Sequence, residues 1–265
     1  MENVCTISVL CIFVFMNFMY LFALRLKDNS IVDIGWGIDF IIVALATLFY
    51  NGNFYPRQLL ITAIIITWGL RLAVYIYMRN KGRGEDFRYR QWREEWGKTI
   101  YWRSYLQVFM LQGILMFIVA LPVMQVNYST SSTLTIVDCI GSTVWLVGFL
   151  FETVGDYQMM RFKKNSAKSK SATKQIMQSG LWKYTRHPNY FGEALLWWGI
   201  YIIATGAGNI LISLVSPLVL TYLLLKVSGV AMLEKKYTGN KEYDEYIQTT
   251  SSFIPLPKFL SKKAG

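Results

Sequence analysis

Seven stretches of the chain are apolar over the length that a helix needs to cross a lipid bilayer, which is about 20 residues. They are Thr6–Leu24, Ile31–Tyr50, Leu59–Met78, Leu106–Val126, Leu134–Met159, Asn189–Thr205 and Ile210–Ser228. Hydrophobic residues make up 54% of the 265 residues and the mean hydropathy is +0.32, which is too apolar for an ordinary soluble domain. The sequence therefore predicts an all-α integral membrane protein with about seven transmembrane helices in one bundle.

Basic residues are distributed unevenly among the loops that connect these stretches. Eight Lys or Arg lie between Arg79 and Arg103, eight between Arg161 and Arg186, and six after Ser228, whereas the loops between these regions hold none. This alternation follows the positive-inside rule, by which basic loops stay in the cytoplasm. We therefore expect the N-terminus outside or in the lumen and the C-terminus in the cytoplasm. Because orientation accounts for the net charge of +11, no nucleic-acid partner is expected.

Metal and disulfide chemistry find little support in the sequence. The three cysteines, Cys5, Cys11 and Cys139, lie in apolar stretches without paired spacing, and the chain has one histidine. A zinc site needs several such ligands close together, and a disulfide framework needs cysteine pairs. The chain also lacks the Gly-x-Gly-x-x-Gly motif of a Rossmann domain. We therefore expect no metal site.

The chain divides into a first span with its connecting loop (1–30), a membrane domain (31–257) and a basic tail (258–265). The tail ends in Lys262-Lys263-Ala-Gly265, which resembles the dilysine signal that retrieves membrane proteins to the endoplasmic reticulum. We therefore expect a multi-pass membrane protein, with the endoplasmic reticulum as its predicted location.

The segment Gly180-Leu-Trp-Lys-Tyr-Thr-Arg-His-Pro-Asn-Tyr-Phe-Gly-Glu193 places charged and amide groups at the start of a predicted span. Pro188 suits the first turn of a helix. The free N–H groups of that turn, together with Arg186, favour an anionic ligand group. Asn189 and Glu193 are four residues apart, so they share one helix face. Because polar groups inside apolar sequence are costly without a partner, a ligand site is predicted here.

Further charged residues within the predicted spans lie near the same, expected cytoplasmic, level as this segment. They are Asp33, Asp39, Arg71, Glu152, Asp156, Glu193 and Lys226. Charged groups within a span cost about 2.5–3.5 kcal/mol each, which makes them candidates for function. Structural roles also stay open, since Arg71 could pair with Asp39 and Glu193 could bridge helices. Taken together, these groups predict a deep pocket that opens to the cytoplasm and suits a polyanionic cofactor and a lipid-soluble substrate.

The loop that follows the third span contains a candidate phosphate contact. Asn80 and Arg83 lie beside Gly82 and Gly84, and flexible glycines let backbone N–H groups and a guanidinium approach a phosphate. The remaining charged residues of this region are interpreted as a solvated loop face, namely Glu85, Asp86, Arg88, Glu94 and Glu95.

Several of these patterns resemble those of a known family. Arg186-His-Pro-Asn-Tyr-Phe-Gly-Glu193, after Gly180-Leu-Trp182, resembles the C-terminal domain of the steroid 5-alpha-reductase family. Within that family, an uncharacterised membrane branch shows patterns like Val32-Asp33-Ile-Gly-Trp-Gly37, Glu85-Asp86-Phe-Arg-Tyr89 and Phe253-Ile-Pro255. The resemblance implies a seven-helix fold with an NADPH pocket that opens to the cytoplasm.

The resemblance also implies roles for individual residues. The implied cofactor-binding set is Asn80, Arg83, Asp156, Lys163, Tyr184, Arg186, His187, Asn189, Glu193 and Trp197. Lys163 stands where the family has an arginine, which leaves a point charge in place of a planar fork. Steroid reductases polarise the substrate carbonyl with a glutamate on the second helix and a tyrosine on the third. Asp33 and Tyr75 stand in the comparable regions here, and with Glu193 they form the implied catalytic set.

We therefore expect a membrane-embedded, NADPH-dependent reductase of a conjugated C=C bond, an oxidoreductase of CH–CH groups that acts on a lipid, steroid or isoprenoid-like substrate. Arg186 and His187 also occur in isoprenylcysteine carboxyl methyltransferases, so an S-adenosylmethionine-dependent methyltransferase is the first alternative. A lipid- or sterol-binding membrane protein without catalysis is the second. A channel or transporter is the third, and the lack of an internal repeat weakens a transporter built on duplicated halves.

Overall fold

The computed structural model describes residues 1–166, 176–227, 229–235, 237 and 239–257. Its α-helices are α1 (Glu2–Leu26), α2 (Ile31–Asn51), α3 (Pro56–Asn80), α4 (Phe87–Trp96), α5 (Ile100–Arg103), α6 (Leu111–Val119), α7 (Leu121–Tyr128), α8 (Ile136–Ser166), α9 (Pro188–Thr205), α10 (Ile210–Tyr222), α11 (Val230–Lys235) and α12 (Lys241–Thr249). The described residues form no β-strand and contain one isolated β-bridge, between Thr185 and Ser251. The predicted all-α fold is therefore confirmed for these residues. The tail 258–265, with Lys262-Lys263, lies outside the described residues.

Six helical runs of the described chain are long and apolar enough to cross a membrane. They are Glu2–Leu26, Ile31–Asn51, Pro56–Asn80, Phe87–Val119, Ile136–Ser166 and Ile210–Lys235. The multi-pass character of the protein is therefore confirmed at this level. The run predicted as the sixth of seven spans forms α9, an 18-residue helix that is not among the six. Asn189 and Glu193 lie in its first two turns and lower the mean hydropathy of this short helix.

The run Phe87–Val119 is not one regular helix. It passes from α4 through a 3₁₀ turn, Gly97–Thr99, into α5 and then through a π-helical segment, Ser104–Met110, into α6. A break at Ala120 separates α6 from α7, where Pro122 occupies the first turn, because proline lacks the N–H that a continuous helix needs there. The predicted span Leu106–Val126 is therefore divided between these elements.

The chain forms two compact units. The first contains Met1–Asp138 and Ile203–Ser216, and the second contains Cys139–Ile202 and the described residues from Pro217 onward. In the first unit α2 and α3 cross at Gly37 and Gly69, where a Cβ on either glycine would overlap the backbone of the other helix. Small residues allow membrane helices to approach this closely.

An ion pair lies buried in the first unit. Arg57 donates from Nε and a terminal nitrogen to the two oxygens of Asp138, both at 2.7 Å. Arg57 also donates to the hydroxyls of Ser131 at 2.7 Å and Thr135 at 3.5 Å, and to the carbonyl of Gly206. Both members of the pair are almost completely buried, so each satisfies a charge that would otherwise be costly to bury.

Candidate functional site

A seam of glycines brings α8 and α9 into backbone contact. The four positions are Gly148 and Gly155 on α8 and Gly192 and Gly199 on α9. A Cβ on Gly148 would overlap the backbone nitrogen of Leu196, and a Cβ on Gly192 would overlap that of Glu152. Because backbone atoms cannot move aside as side chains do, the seam fixes which residues of the two helices lie opposite each other.

Asp156 and Asn189 form a hydrogen bond where α9 begins. Asn189 donates from Nδ2 to Oδ1 of Asp156 at 3.0 Å, and Asp156 is buried. Gly155 makes this possible, since a Cβ there would lie 3.1 Å from the backbone nitrogen of Asn189. Because Asp156 is the acceptor in this bond, the amide of Asn189 has its nitrogen towards the carboxyl group and its oxygen away from it. The amide oxygen of Asn189 is then buried without a hydrogen-bond partner among the described residues.

Three further candidate residues lie on the same two helices. Glu152 lies one turn before Asp156 on α8 and is buried. Glu193 lies one turn after Asn189 on α9 and is half-buried. Trp197, one turn further, is completely buried, so its ring belongs to the core of the second unit. Acidic side chains therefore extend over one turn of each helix beside the Asp156–Asn189 pair.

The loop before α9 is tied to the C-terminal segment and to α8. The hydroxyl of Thr185 donates to the carbonyl of Phe253 at 2.8 Å, and the hydroxyl of Tyr246 donates to the carbonyl of Trp182. Trp182 in turn donates from its indole nitrogen to the carbonyl of Gly155 at 3.1 Å. These bonds connect residues distant in sequence and hold the start of α9 in place.

Arg186 is buried, and its hydrogen bonds go to the protein itself. Nε and one terminal nitrogen lie 2.9 and 2.8 Å from Oε1 of Glu234. The other terminal nitrogen donates to the carbonyls of Ile247, at 3.2 Å, and Thr250, and the backbone N–H donates to the carbonyl of Ser251 at 2.8 Å. The sequence predicts that this guanidinium favours an anionic ligand. It instead holds Glu234 and the C-terminal segment, because these groups occupy the donors that an anion would need.

His187 is buried beside Arg186. Its Nε2 lies 3.2 Å from Oε1 of Glu234, and its ring stacks on Tyr190 with 5.6 Å between centroids. Burial lowers the pKa of His187 below its ordinary value of 6.5, and the charge of Arg186 lowers it further. The contact with Glu234 raises the pKa by less than these two effects lower it. The imidazole is therefore neutral at pH 7, with one nitrogen that donates and one that accepts.

Lys163 and Tyr184 lie at the surface of the second unit. Lys163 occupies the last turn of α8 and is exposed. Tyr184 is also exposed, with the ammonium of Lys183 6.0 Å from its ring centroid. Both are therefore accessible to a dissolved ligand, unlike the buried Trp197.

In the first unit, α3 ends in a turn that carries two predicted cofactor contacts. The N–H of Arg83 donates to the carbonyl of Asn80 at 3.0 Å, and Gly82 and Gly84 adopt left-handed φ values of 76° and 70°. The side-chain oxygen of Asn80 accepts from Arg79 at 3.1 Å. Its nitrogen Nδ2 is buried without a hydrogen-bond partner in the described chain. The turn therefore offers one unused donor next to two arginines.

Tyr75 lies between two arginines on α3. The guanidinium groups of Arg71 and Arg79 are 5.4 and 5.9 Å from its ring centroid, within the range of cation–π attraction. The alternative pairing of Arg71 with Asp39 is wrong, because neither oxygen of the fully buried Asp39 accepts a hydrogen bond from a described residue.

A polar cluster that sequence reasoning missed joins the start of α2 to α4 and α6; we call it the Asp33 cluster. Asp33 accepts from Arg88 at 2.7 Å on one oxygen and from the hydroxyl of Tyr89 at 2.6 Å on the other. That hydroxyl accepts from Gln112 at 3.3 Å, and Gln112 accepts from the indole of Trp36. Both carboxylate oxygens of Asp33 therefore already accept hydrogen bonds from within the protein.

The loop before α4 is not the solvated face that the sequence suggests. Glu85 accepts from a backbone N–H at 2.8 Å, and Asp86 accepts from Arg88 at 2.9 Å. Burial alone would raise the pKa of both carboxyls, but hydrogen bonds and neighbouring arginines outweigh it, so both pKa values are lowered. The interpretation is therefore wrong for Glu85, Asp86 and Arg88, and it holds for the exposed Glu94 and Glu95.

The candidate residues thus form two groups, each within its own unit. The first unit holds Asp33, Tyr75, Asn80 and Arg83, and the second holds Asp156, Lys163, Tyr184, Arg186, His187, Asn189, Glu193 and Trp197. Sequence reasoning missed Glu234, which lies 47 residues after His187 and belongs to no motif. It also missed Tyr89, although the Glu85–Tyr89 pattern was a signal that this loop has a specific structure.

Comparison with known proteins gives a family but no activity. A family model described as "Protein of unknown function (DUF1295)" matches residues 19–250. An uncharacterised protein of Schizosaccharomyces pombe is 26% identical over an alignment of 238 residues that covers 80% of this chain and 67% of that protein. No solved structure matches significantly. Because the family model covers most of the chain, the protein belongs to the DUF1295 family.

Proposed function

We propose that the protein is a membrane-embedded reductase that uses NADPH to saturate a conjugated C=C bond in a lipid-soluble substrate. The observation that carries the proposal is the amide of Asn189. Asp156 holds its nitrogen, and its buried oxygen has no partner among the described residues. That oxygen fits the –NH₂ group of a carboxamide, which is the polar substituent of nicotinamide. A buried acceptor left without a donor costs about 1–3 kcal/mol, which a bound carboxamide would recover.

The turn at the end of α3, in the first unit, has groups that suit an anionic ligand group. The unused donor of Asn80 and the guanidinium of Arg83 are the groups that phosphate oxygens accept from. Gly82 and Gly84 have no side chains, so the backbone of this turn is open to a close approach by a ligand. Within the first unit, Asn80 and Arg83 are therefore candidates for a phosphate contact.

When bound, NADPH supplies a hydride. In an α,β-unsaturated carbonyl substrate, the β-carbon takes the hydride, the electron pair moves to the carbonyl oxygen, and the α-carbon then takes a proton. Residues of this chain would stabilise the developing oxyanion and deliver that proton. Tyr75, whose ring lies near the guanidinium groups of Arg71 and Arg79, is the candidate hydroxyl donor. Tyr89 does not serve as a second donor, because its only O–H already donates to Asp33.

The proposal is tested by thermal unfolding of the full chain in detergent with NADPH, NADH or S-adenosylmethionine. At 100 times its Kd, a ligand of the folded state stabilises by about 2.7 kcal/mol. We expect NADPH to stabilise the wild type and Asn189→Ala to weaken its binding about tenfold, since one hydrogen bond contributes about 1–1.5 kcal/mol. Asn209→Ala is the matched control, because Asn209 caps the exposed start of α10 and should leave the NADPH response unchanged.

The methyltransferase is the alternative that this experiment separates. Stabilisation by S-adenosylmethionine without stabilisation by NADPH would replace the reductase with the methyltransferase, since Arg186 and His187 are shared by both resemblances. An unchanged NADPH response in Asn189→Ala would remove Asn189 from the site. If NADPH binds, turnover of a panel of lipid-soluble enones then separates an active reductase from a protein that binds without catalysis.

A further inference from the structure

Glu234 connects the two neighbouring residues Arg186 and His187, and we call these three residues the Glu234 cluster. A single oxygen, Oε1, accepts from Arg186 at 2.9 and 2.8 Å and lies 3.2 Å from Nε2 of His187. The arginine and histidine side chains are 7% and 5% exposed, and that of Glu234 is 25% exposed. One positive and one negative charge therefore balance each other, and a neutral imidazole keeps the buried part of the cluster electrically neutral.

The contact with Glu234 decides which nitrogen of His187 carries the proton. A neutral imidazole has one N–H, and the contact with a carboxylate oxygen is a hydrogen bond only if that N–H is on Nε2. Nδ1 is then an acceptor, and no described residue donates to it. His187 also directly precedes Pro188, the first residue of α9, and its own backbone N–H donates to Thr185 at 3.2 Å. The ring is therefore held beside the helix that carries Asn189.

We propose that Glu234 is a positioning residue of the candidate site, which keeps His187 in the tautomer protonated on Nε2 and so leaves Nδ1 as an acceptor for a hydroxyl group of the bound ligand. The ligand part rests on the proposed function. Ribose hydroxyls are donors in both NADPH and S-adenosylmethionine, so the chemistry that Nδ1 recognises is common to the two.

The charged and titratable surroundings agree with a neutral ring. Arg186 precedes it in the chain, Glu234 faces it from α11, and Tyr190 stacks on it from α9. Tyr243 of α12 lies close to Glu234 and Arg186, and burial raises its pKa to about 12, so that it stays uncharged. Protonation of His187 would add a second positive charge next to Arg186 with one carboxylate shared between them.

The inference is tested by nitrogen-15 NMR of the full chain in detergent micelles. Since the chain has one histidine, histidine-selective labelling gives one pair of imidazole signals without assignment. At pH 7.4 and without ligand we expect Nε2 at a protonated shift and Nδ1 at an unprotonated one. A proton on Nδ1, equal tautomers, or a charged ring would overturn the proposal.

Two substitutions at Glu234 test the role of its oxygen. Glu234→Gln keeps a carbonyl acceptor, so the single tautomer should be retained, whereas Glu234→Ala should give averaged shifts from both tautomers. Glu245→Ala, an exposed acid of α12, is the matched control and should not change the signals. If Glu234→Ala does not fold, Glu234→Leu carries the same expectation with the side-chain volume retained. A single unchanged tautomer in folded Glu234→Ala or in folded Glu234→Leu would overturn the role of Glu234.

Addition of ligand separates this inference from the proposed function. A shift of Nδ1 on addition of NADPH, with Nε2 little changed, supports both. A shift with S-adenosylmethionine alone supports the tautomer and the hydroxyl contact but overturns the reductase. Saturating concentrations of both ligands with no shift of Nδ1 would overturn the ligand part of the inference, whatever the outcome for the reductase.

Discussion

The Asp33 cluster of the first unit and the Glu234 cluster of the second contain the same kinds of groups but differ in how many of their polar atoms have hydrogen-bond partners. Each pairs one carboxylate with one arginine and one ring-bearing residue. In the Asp33 cluster both carboxylate oxygens, the tyrosine hydroxyl and the next amide all find partners. Beside the Glu234 cluster, Nδ1 of His187 and Oδ1 of Asn189 have none among the described residues. A closed network holds a shape, whereas an open one can accept a ligand.

The largest expected difference between the two clusters is the cost of removing the arginine. Arg186→Ala removes the charged partner of Glu234 and the donor of two backbone carbonyls, so we expect a loss of about 3–5 kcal/mol in unfolding free energy. Arg88 is 23% exposed, and water can replace part of its contacts, so Arg88→Ala should cost about 1 kcal/mol. Unfolding in mixed detergent micelles, followed by tryptophan fluorescence, measures both. Equal losses would contradict the contrast in burial.

The second prediction concerns the seam that positions the open site. Gly192→Ala places a methyl group against the backbone of α8, so overpacking should cost about 3 kcal/mol and should also weaken NADPH binding through Asn189. Gly113→Ala is the matched control in the first unit, because its nearest neighbours are side-chain atoms of Ile12 and Met16 at 3.2 and 3.4 Å, which can move. The same unfolding experiment compares the two. A smaller loss for Gly192→Ala than for Gly113→Ala would show that the seam is not rigid.

A third prediction tests whether the Asp33 cluster stabilises the fold without contacting the cofactor. Tyr89→Phe removes the bonds to Asp33 and Gln112, which should lower the unfolding free energy by about 1–1.5 kcal/mol. The stabilisation by NADPH should stay at its wild-type value. Titration of both proteins with NADPH under unfolding conditions gives the two quantities together. A tenfold loss of NADPH affinity in Tyr89→Phe would move Tyr89 into the cofactor site.

The smallest effect is the pH dependence that distinguishes the clusters. The pKa of His187 is lower in the folded protein than its ordinary value of 6.5, so the unfolded chain takes up the proton first. The contribution of His187 to the unfolding free energy is therefore fully present above pH 6.5, and it is lost as the pH falls towards the pKa of the folded state. Glu85 and Asp86 have lowered pKa values relative to 4.5 and 3.8, so their contribution is lost only below these values.

Unfolding curves between pH 7.5 and pH 5.5, spanning the ordinary histidine pKa of about 6.5, measure this difference. His187→Asn should flatten the curve in that window, and Glu85→Gln, the control in the first unit, should not. A wild-type protein that gains stability as pH falls through this window would contradict the lowered pKa of His187.

The sequence predicts the elements better than their partners. Apolar stretches longer than a bilayer is thick have few alternatives to helices, so α1, α2 and α3 follow from composition. The spacing of Asn189 and Glu193 likewise predicts a shared helix face. Partners are different, because Glu234 reaches Arg186 across 48 residues and nothing local in the sequence specifies that contact. The solvated reading of Arg88 failed for the same reason, since its partner Asp33 lies 55 residues away.

The contact between α8 and α9 has a consequence for how the chain enters the membrane during synthesis. Glu152 and Asp156 are buried acids of α8, and α9 contains Asn189 and Glu193 in its first two turns. Either helix would therefore expose polar groups to lipid if it left the translocon by itself. Because their glycines let the two backbones touch, the polar groups can be covered before either helix meets lipid. The two helices should therefore partition as a hairpin, and a chain truncated before α9 should insert α8 less efficiently than the full chain does.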